Sequence, residues 1–223
     1  MVDTRVSKTR DPKPIVGVRF SPAAPEFMEE FSDLEVQLAK FSKLISVFPE
    51  EEREKIFSAL ELSRESHASQ KRKNGADYVV HLVRVANILL EEVDVKKPQL
   101  ICAALLHDTL EDTSLSLESI KSSFGGEVAD LVLTLSKKPD EPSAAYLARA
   151  IGTSEEATLI KMCDRLDNCR DLVGVTSQQP EFAQRQIAEV ERFYLPYTRR
   201  SAPYFDRQLR YNIGLAKERL KSR

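Results

Sequence analysis

Glycine is scarce in this chain, with seven in 223 residues, and strand-like alternation of apolar and polar side chains is hard to find anywhere along it. Together these absences argue against a sheet protein joined by tight turns. No uninterrupted apolar run approaches the length that spans a bilayer. The stretch from Met1 to Pro25 holds basic residues but no apolar segment, so it does not read as a secretory signal. Cysteine is sparse as well. Cys102, Cys163 and Cys169 are odd in number and lack CxxC spacing, which favours a reducing compartment over a disulfide framework. We expect a cytoplasmic protein whose thiols are small buried apolar groups. An excess of one charge sign is also missing. The formal net charge of −2 speaks against a general nucleic-acid binder, and no segment calls for a membrane partner.

At 42% apolar and 30% charged, the chain has the composition of a globular protein and the length for one domain with a substantial core. Apolar residues recur at helical spacing. Val80, Val83, Val85, Ile88 and Leu89 stripe one segment, and Leu159, Ile160, Cys163 and Leu166 stripe another. Helix starts and stops are marked too. Pro49 is followed by Glu50, Glu51 and Glu52, which suit a positive helix end. Asn74-Gly75 signals a turn, Pro98 suits a first helical turn, and Gly125-Gly126 ends the helix that Ser116 opens. Thr153 or Ser154 caps the next long helix. The pattern predicts an all-α protein with helices near 28–45, 50–71, 79–92, 98–110, 116–123, 127–137, 143–151, 154–170, 181–197 and 203–220.

The chemistry concentrates in three blocks. His67, His81 and His107 are the three histidines of the chain and lie in one stretch of it. In His107-Asp-Thr-Leu-Glu-Asp112, read as helix, His107 sits below Glu111 and Asp108 below Asp112, beside the apolar run Ile101–Leu106. Carboxylates next to a core-forming segment are expensive to bury unless something positive binds them; the plainer alternative is a solvated acidic helix end. In the second block, Lys161 to Arg170, Asp164 and Asn168 share a face, with Asp171 near it. Internal pairs such as Asp164 with Arg165 or Asp167 with Arg170 are the plainer reading there. The third block gathers Lys71, Arg72 and Lys73 at a turn between His67 and His81. Combined, the blocks offer imidazoles and carboxylates. That mixture suits a borderline-to-hard divalent ion such as Mn²⁺ with open coordination positions better than a closed zinc site. Glu111 and Asp112 are placed to orient or deprotonate a water there.

Four motifs in order resemble the HD hydrolase domain of the RelA/SpoT family. They are His67-x-x-Gln70-x-Arg72-Lys73-x-Gly75-x-x-Tyr78-x-x-His81, Leu105-Leu106-His107-Asp108-Thr109-x-Glu111-Asp112-Thr113, Phe124-Gly125, and Lys161-x-x-Asp164-Arg165-Leu166-x-Asn168-x-Arg170. The resemblance spans about Glu61 to Leu172. It implies an HD-domain helical bundle that removes the 3′-pyrophosphate of (p)ppGpp, with His81, His107, Asp108 and Asp164 as Mn²⁺ ligands and Glu111 and Asp112 serving the attacking water. It also implies that Arg72 and Lys73 contact the guanine nucleotide and Asn168 its ribose or phosphate region, with His67 behind the ligands. The chain departs from the family's pattern at Ser69, Ala76-Asp77, Leu82 and Asp167. Asp77 and Asp167 are expected to bring negative charge near the polyphosphate.

The chain resembles the small, hydrolase-only members. The expected organisation is an extension over 1–27, an N-terminal helix over 28–52, the hydrolase domain over 53–198, and a C-terminal helix over 199–223 packed on it. The aromatics Phe193, Tyr194, Tyr197, Tyr204 and Phe205 read as packing residues. Gly17-Val-Arg-Phe-Ser21 can be encoded by the T-arm sequence of a tRNA. We therefore expect residues up to about Phe27 to be read through from an adjacent gene, with Met28 the start. Two other functions fit the same residues. One is an HD phosphohydrolase acting on another nucleotide or phosphorylated metabolite; the other is a non-catalytic nucleotide-binding module.

Overall fold

The computed structural model describes residues 32–222, so the expectations for residues 1–27 and for a start at Met28 lie outside the described residues. The described chain is helical, and its β-type pairing is one isolated bridge between Lys71 and Asp77. The helices are α1 (Leu34–Ile45), α2 (Glu50–Ser66), α3 (Tyr78–Asn87), α4 (Pro98–Leu106), α5 (Thr109–Asp112) and α6 (Leu117–Phe124). They continue with α7 (Gly126–Leu135), α8 (Ser143–Gly152), α9 (Glu155–Val175), α10 (Pro180–Glu189), α11 (Leu195–Ser201) and α12 (Pro203–Lys221). Two widened π turns, Ile88–Glu92 and Val190–Tyr194, extend α3 and link α10 to α11. None of the described helices is long and apolar enough to cross a membrane.

Local chemistry sets the ends. Asp33 caps α1 by accepting from the amides of Glu35 and Val36, Ser116 caps α6 through Ser119, and Ser154 caps α9 through Ala157. Gly125 takes φ 90°, which lets α6 stop and α7 start one residue later. The core is built around α9, 21 residues and about 31 Å long. It packs against α12, α8, α3, α10, α7 and α4. Because it is surrounded, most of its residues are buried on all faces, and it runs to Val175 rather than to 170 because Leu172, Val173 and Val175 join the core. The three cysteines are buried and free. Tyr194, Tyr197, Tyr204 and Phe205 are buried as well, with Phe193 packed at their edge.

Two expected helices end early, and both ends fall at the site. The helix predicted over 50–71 stops at Ser66, where the hydroxyls of Ser63 and Ser66 donate to the carbonyls of Leu60 and Leu62. The chain then makes a turn held by Arg72 N–H to Ala76 O and Gly75 N–H to Arg72 O, with Gly75 at φ 89°. The helix predicted over 98–110 breaks at His107-Asp108. The His107 imidazole donates from Nδ1 to Ala104 O at 2.8 Å, and Thr109 Oγ1 donates to Leu106 O at 2.7 Å. Side chains thereby satisfy carbonyls that a continuous helix would have used, and Asp108 settles at φ −96°, ψ −6°.

Candidate metal centre and adjoining cavity

His81 comes from α3, His107 from the end of α4, and Asp164 from the middle of α9. Each presents a ligand atom, and the three atoms lie within 4.8 Å of one another. His81 Nε2 is 3.3 Å from Asp164 Oδ1, and His107 Nε2 is 3.8 Å from the same oxygen. Asp108, at the break after α4, flanks this set. Its Oδ2 is 3.1 Å from His107 Nε2 and 3.7 Å from His81 Nε2, and it accepts the Tyr78 hydroxyl at 2.7 Å.

The orientation of both rings follows from their other nitrogens. A carbonyl can only accept, so His107 Nδ1 carries a proton and its neutral ring presents a lone pair at Nε2. That Nε2 is buried and makes no hydrogen bond. His81 Nδ1 lies 2.6 Å from the Asp167 carboxylate, which fixes the same tautomer and again leaves Nε2 toward Asp164 and Asp108. Two lone pairs facing two carboxylates repel unless a cation or a proton sits between them. An N₂O₁₋₂ donor set with an orphaned imidazole nitrogen fits a divalent ion.

The electrostatics agree. Burial alone would raise the carboxyl of Asp164, yet Lys161 and the two imidazoles hold it well below the usual range. Burial would likewise lower His107, but Asp108 and Asp164 win and push it up to about 10 without a metal. Glu111 and Asp112 are exposed at the outer end of α5. Both carboxyls are raised, first by partial burial and then by the charge of Asp108. Glu111 Oε2 accepts the Lys137 amide at 2.7 Å, which ties the 136–142 loop to the site.

Beside this centre lies a cavity of about 200 Å³, lined by Lys71, Arg72, Lys73, Tyr78, Asn168, Phe182 and their neighbours. Arg72 is not free within it. Its guanidinium donates to Asp171 Oδ2 at 3.0 and 2.8 Å and to Asn168 Oδ1 at 2.7 Å, and Asn168 Nδ2 donates to Asp164 Oδ1 at 2.5 Å. Lys73 Nζ lies over the Phe182 ring, 5.8 Å from its centroid. His67 is buried, stacks on Tyr78 at 4.8 Å and pairs with Gln70.

The structure thus gathers His81, His107 and Asp164, with Asp108 beside them, and sets Arg72, Lys73 and Asn168 on the adjoining cavity, but the expectations for Asp167 and Asp77 are corrected. Asp167 does not face a polyphosphate. It is fully buried, held by His81 and by Arg84 Nε and Nη2 at 2.7 and 2.8 Å. Asp77 sits at the surface paired with Lys71. The intrahelical pairs considered for α9 are also replaced. Asp164 pairs with Lys161, Arg165 with Glu189, and Arg170 with Glu92. The sequence reading missed Arg84, Leu172 and Phe182, and it placed Asp171 near the Asp164 face without its partners Arg72 and Arg84. An arginine inside the apolar stripe of α3, three residues after His81, was the available signal.

The HD domain family matches residues 59–194 of this chain. The guanosine-3′,5′-bis(diphosphate) 3′-pyrophosphohydrolase of Aquifex aeolicus is 36% identical over 165 residues, which are 71% of this chain and 23% of that protein. The protein of that name from Danio rerio is 35% identical over 129 residues, 55% of this chain and 72% of that protein. A solved structure described as a metazoan ortholog of SpoT that hydrolyzes ppGpp is 27% identical with a TM-score of 0.64, over 74% of this chain and 96% of that one. The chain therefore spans about a quarter of the Aquifex relative's length and most of the Danio relative's. With the match running across the segments that bring His81, His107 and Asp164 together, the chain belongs to the HD domain family.

Proposed function

We propose that this protein is a cytoplasmic, metal-dependent phosphohydrolase that removes the 3′-pyrophosphate of guanosine 3′,5′-bis(diphosphate), with Mn²⁺ as its ion. The observation that carries the reading is the convergence of His81, His107 and Asp164 within 4.8 Å, beside a cavity with basic and aromatic walls. Relatives that share these helices are named for that reaction. Asp108, oriented by the Tyr78 hydroxyl, is the fourth ligand. A divalent ion held there would acidify a water and offset charge on a phosphoryl oxygen.

The chain's own residues do the rest. Glu111, with a raised carboxyl and one oxygen anchored by Lys137 N–H, accepts the proton of the attacking water through its other oxygen, and Asp112 flanks it. The water oxygen bonds to the phosphorus attached at the 3′ position, the P–O3′ bond breaks, the 3′ oxygen takes a proton and pyrophosphate leaves. The base packs in the cavity between Tyr78, Leu172 and Phe182, with Lys73 at the phosphates. Because Asp171 and Asn168 already occupy the Arg72 guanidinium, Arg72 contributes its flat face more than a phosphate fork.

A panel of nucleotides with metal-stripped protein tests this. Pyrophosphate should be released from ppGpp on addition of Mn²⁺ and not from GTP, ATP or a simple phosphodiester. Intact ppGpp with cleavage of another substrate would establish a different HD phosphohydrolase. Mn²⁺ binding without cleavage of any of them would establish a non-catalytic nucleotide-binding module.

A further inference from the structure

Two carboxylates and two guanidiniums alternate in a chain that is buried at Asp167, Arg84 and Asp171 and reaches the cavity at Arg72. His81 Nδ1 donates to Asp167, Asp167 takes two bonds from Arg84, and Arg84 Nη2 lies 2.9 Å from Asp171 Oδ1. Asp171 takes two bonds from Arg72, Arg72 donates to Asn168, and Asn168 donates to Asp164. The chain starts on one proposed ligand and closes on another, passing along the cavity wall. Asp167 and Arg84 are 0% and 2% exposed, so neither side chain can serve solvent or reach substrate. A buried ion pair adds little stability over well-packed apolar side chains of the same volume. What it can do here is fix a direction.

We propose that Asp167, clamped by Arg84, is a positioning residue for His81. A carboxylate on Nδ1 holds the ring with its lone pair at Nε2 facing the cation, and makes that nitrogen a stronger donor. His107 is held differently, by the backbone carbonyl of Ala104, so its partner cannot be altered by substitution while that of His81 can. Through Asp171 the same clamp reaches Arg72, so ligand geometry and the cavity wall are set by one network. This inference rests on the metal centre proposed above.

The test uses the full chain in two variants, Asp167→Leu, which removes the acceptor, and the double variant Arg84→Met with Asp167→Leu, which replaces the pair by apolar volume. Folding is checked by thermal melts, and the Mn²⁺ dissociation constant is measured by competition with a chelating dye. Losing an outer partner of a ligating histidine typically costs about 10- to 100-fold in metal affinity, and we expect a loss in that range from either folded variant. A folded variant less than about tenfold weakened overturns the positioning role, whatever its melting temperature. Failure of the unaltered protein to bind Mn²⁺ overturns the metal centre as well, which separates the two readings. If neither variant folds, long-range ¹H–¹⁵N spectra of the Zn²⁺-loaded wild type decide, since the chain has three histidines to assign. A proton on His81 Nδ1 supports the clamp, and a proton on Nε2 overturns it.

Discussion

Asp164 gives its two oxygens to different neighbours, and much of the chemistry follows from that division. Oδ2 accepts the buried Lys161 ammonium at 2.7 Å, while Oδ1 accepts the Asn168 amide and faces the imidazoles. Asp108 is the proposed fourth ligand, so Asp108→Asn should abolish tight Mn²⁺ binding and turnover while the far-UV spectrum stays helical. Glu111→Gln should keep the metal and lose about 10²- to 10⁴-fold in kcat, the usual worth of a general base; equal loss of metal in both variants would move Glu111 into the ligand set. A pH effect accompanies the same charges. His107 rises from 6.5 to about 10 in the metal-free protein, against burial, because of Asp108 and Asp164. A raised folded value means that this stabilisation is fully present below pH 6.5 and is lost as pH climbs toward about 10. The urea midpoint of stripped protein should fall across that window, and fall less in Asp108→Asn. At pH 8, Mn²⁺ should displace the proton, which calorimetry in buffers of different ionisation enthalpy would detect.

At the scale of elements, the parts legible in the sequence were those decided by neighbours in sequence. Apolar spacing, Pro98, Ser116, Ser154 and Gly125 each act within a turn or two, and they mark real ends. The breaks after Ser66 and at His107-Asp108 were not legible, because the side chains that replace the backbone bonds there are residues that also occur inside helices. The four proposed ligands came from motif order, while Arg84 was hidden because a buried arginine inside an apolar stripe needs partners from α9, here Asp167 and Asp171, to be tolerated. The α6–α7 junction offers a local test. Gly125 sits at φ 90°, ψ 169°, a region that side chains other than glycine pay to enter, and no atom would touch an added Cβ. Gly125→Ala should therefore cost about 2 kcal/mol from strain alone. Gly126 opens α7 in equally open space, so Gly126→Ala should be neutral or stabilise by about 0.5 kcal/mol. Urea denaturation of the two neighbours should give opposite signs.

For the whole molecule, the open question is what the helices beyond the matched family region contribute. Residues 59–194 carry the family match, and α12 lies wholly after it. Its Tyr204, Phe205, Leu209 and Ile213 are buried, and it packs along α9, the helix that bears Asp164. One polar cluster pins the arrangement. Arg170 of α9 makes two bonds to Glu92 of the π turn after α3, at 2.7 and 2.8 Å, and the Tyr204 hydroxyl of α12 engages the same carboxylate. Three elements distant in sequence thus share one buried charge pair, nearly two turns past Asp164 on α9. Breaking a buried pair by removing one partner strands the other charge and costs about 3 kcal/mol or more. Arg170→Met should therefore lower stability by about that amount, while Tyr204→Phe, which removes one hydrogen bond, should cost about 1 kcal/mol. Neither residue touches the metal centre or the cavity, so kcat per folded molecule and Mn²⁺ affinity should hold within about twofold in both variants, an estimate in the range of ordinary additivity between separate sites. If Arg170→Met instead stays folded and loses Mn²⁺ affinity in step with its stability, α12 would be part of what holds α9 in register for catalysis, and not a brace on the outside of the domain.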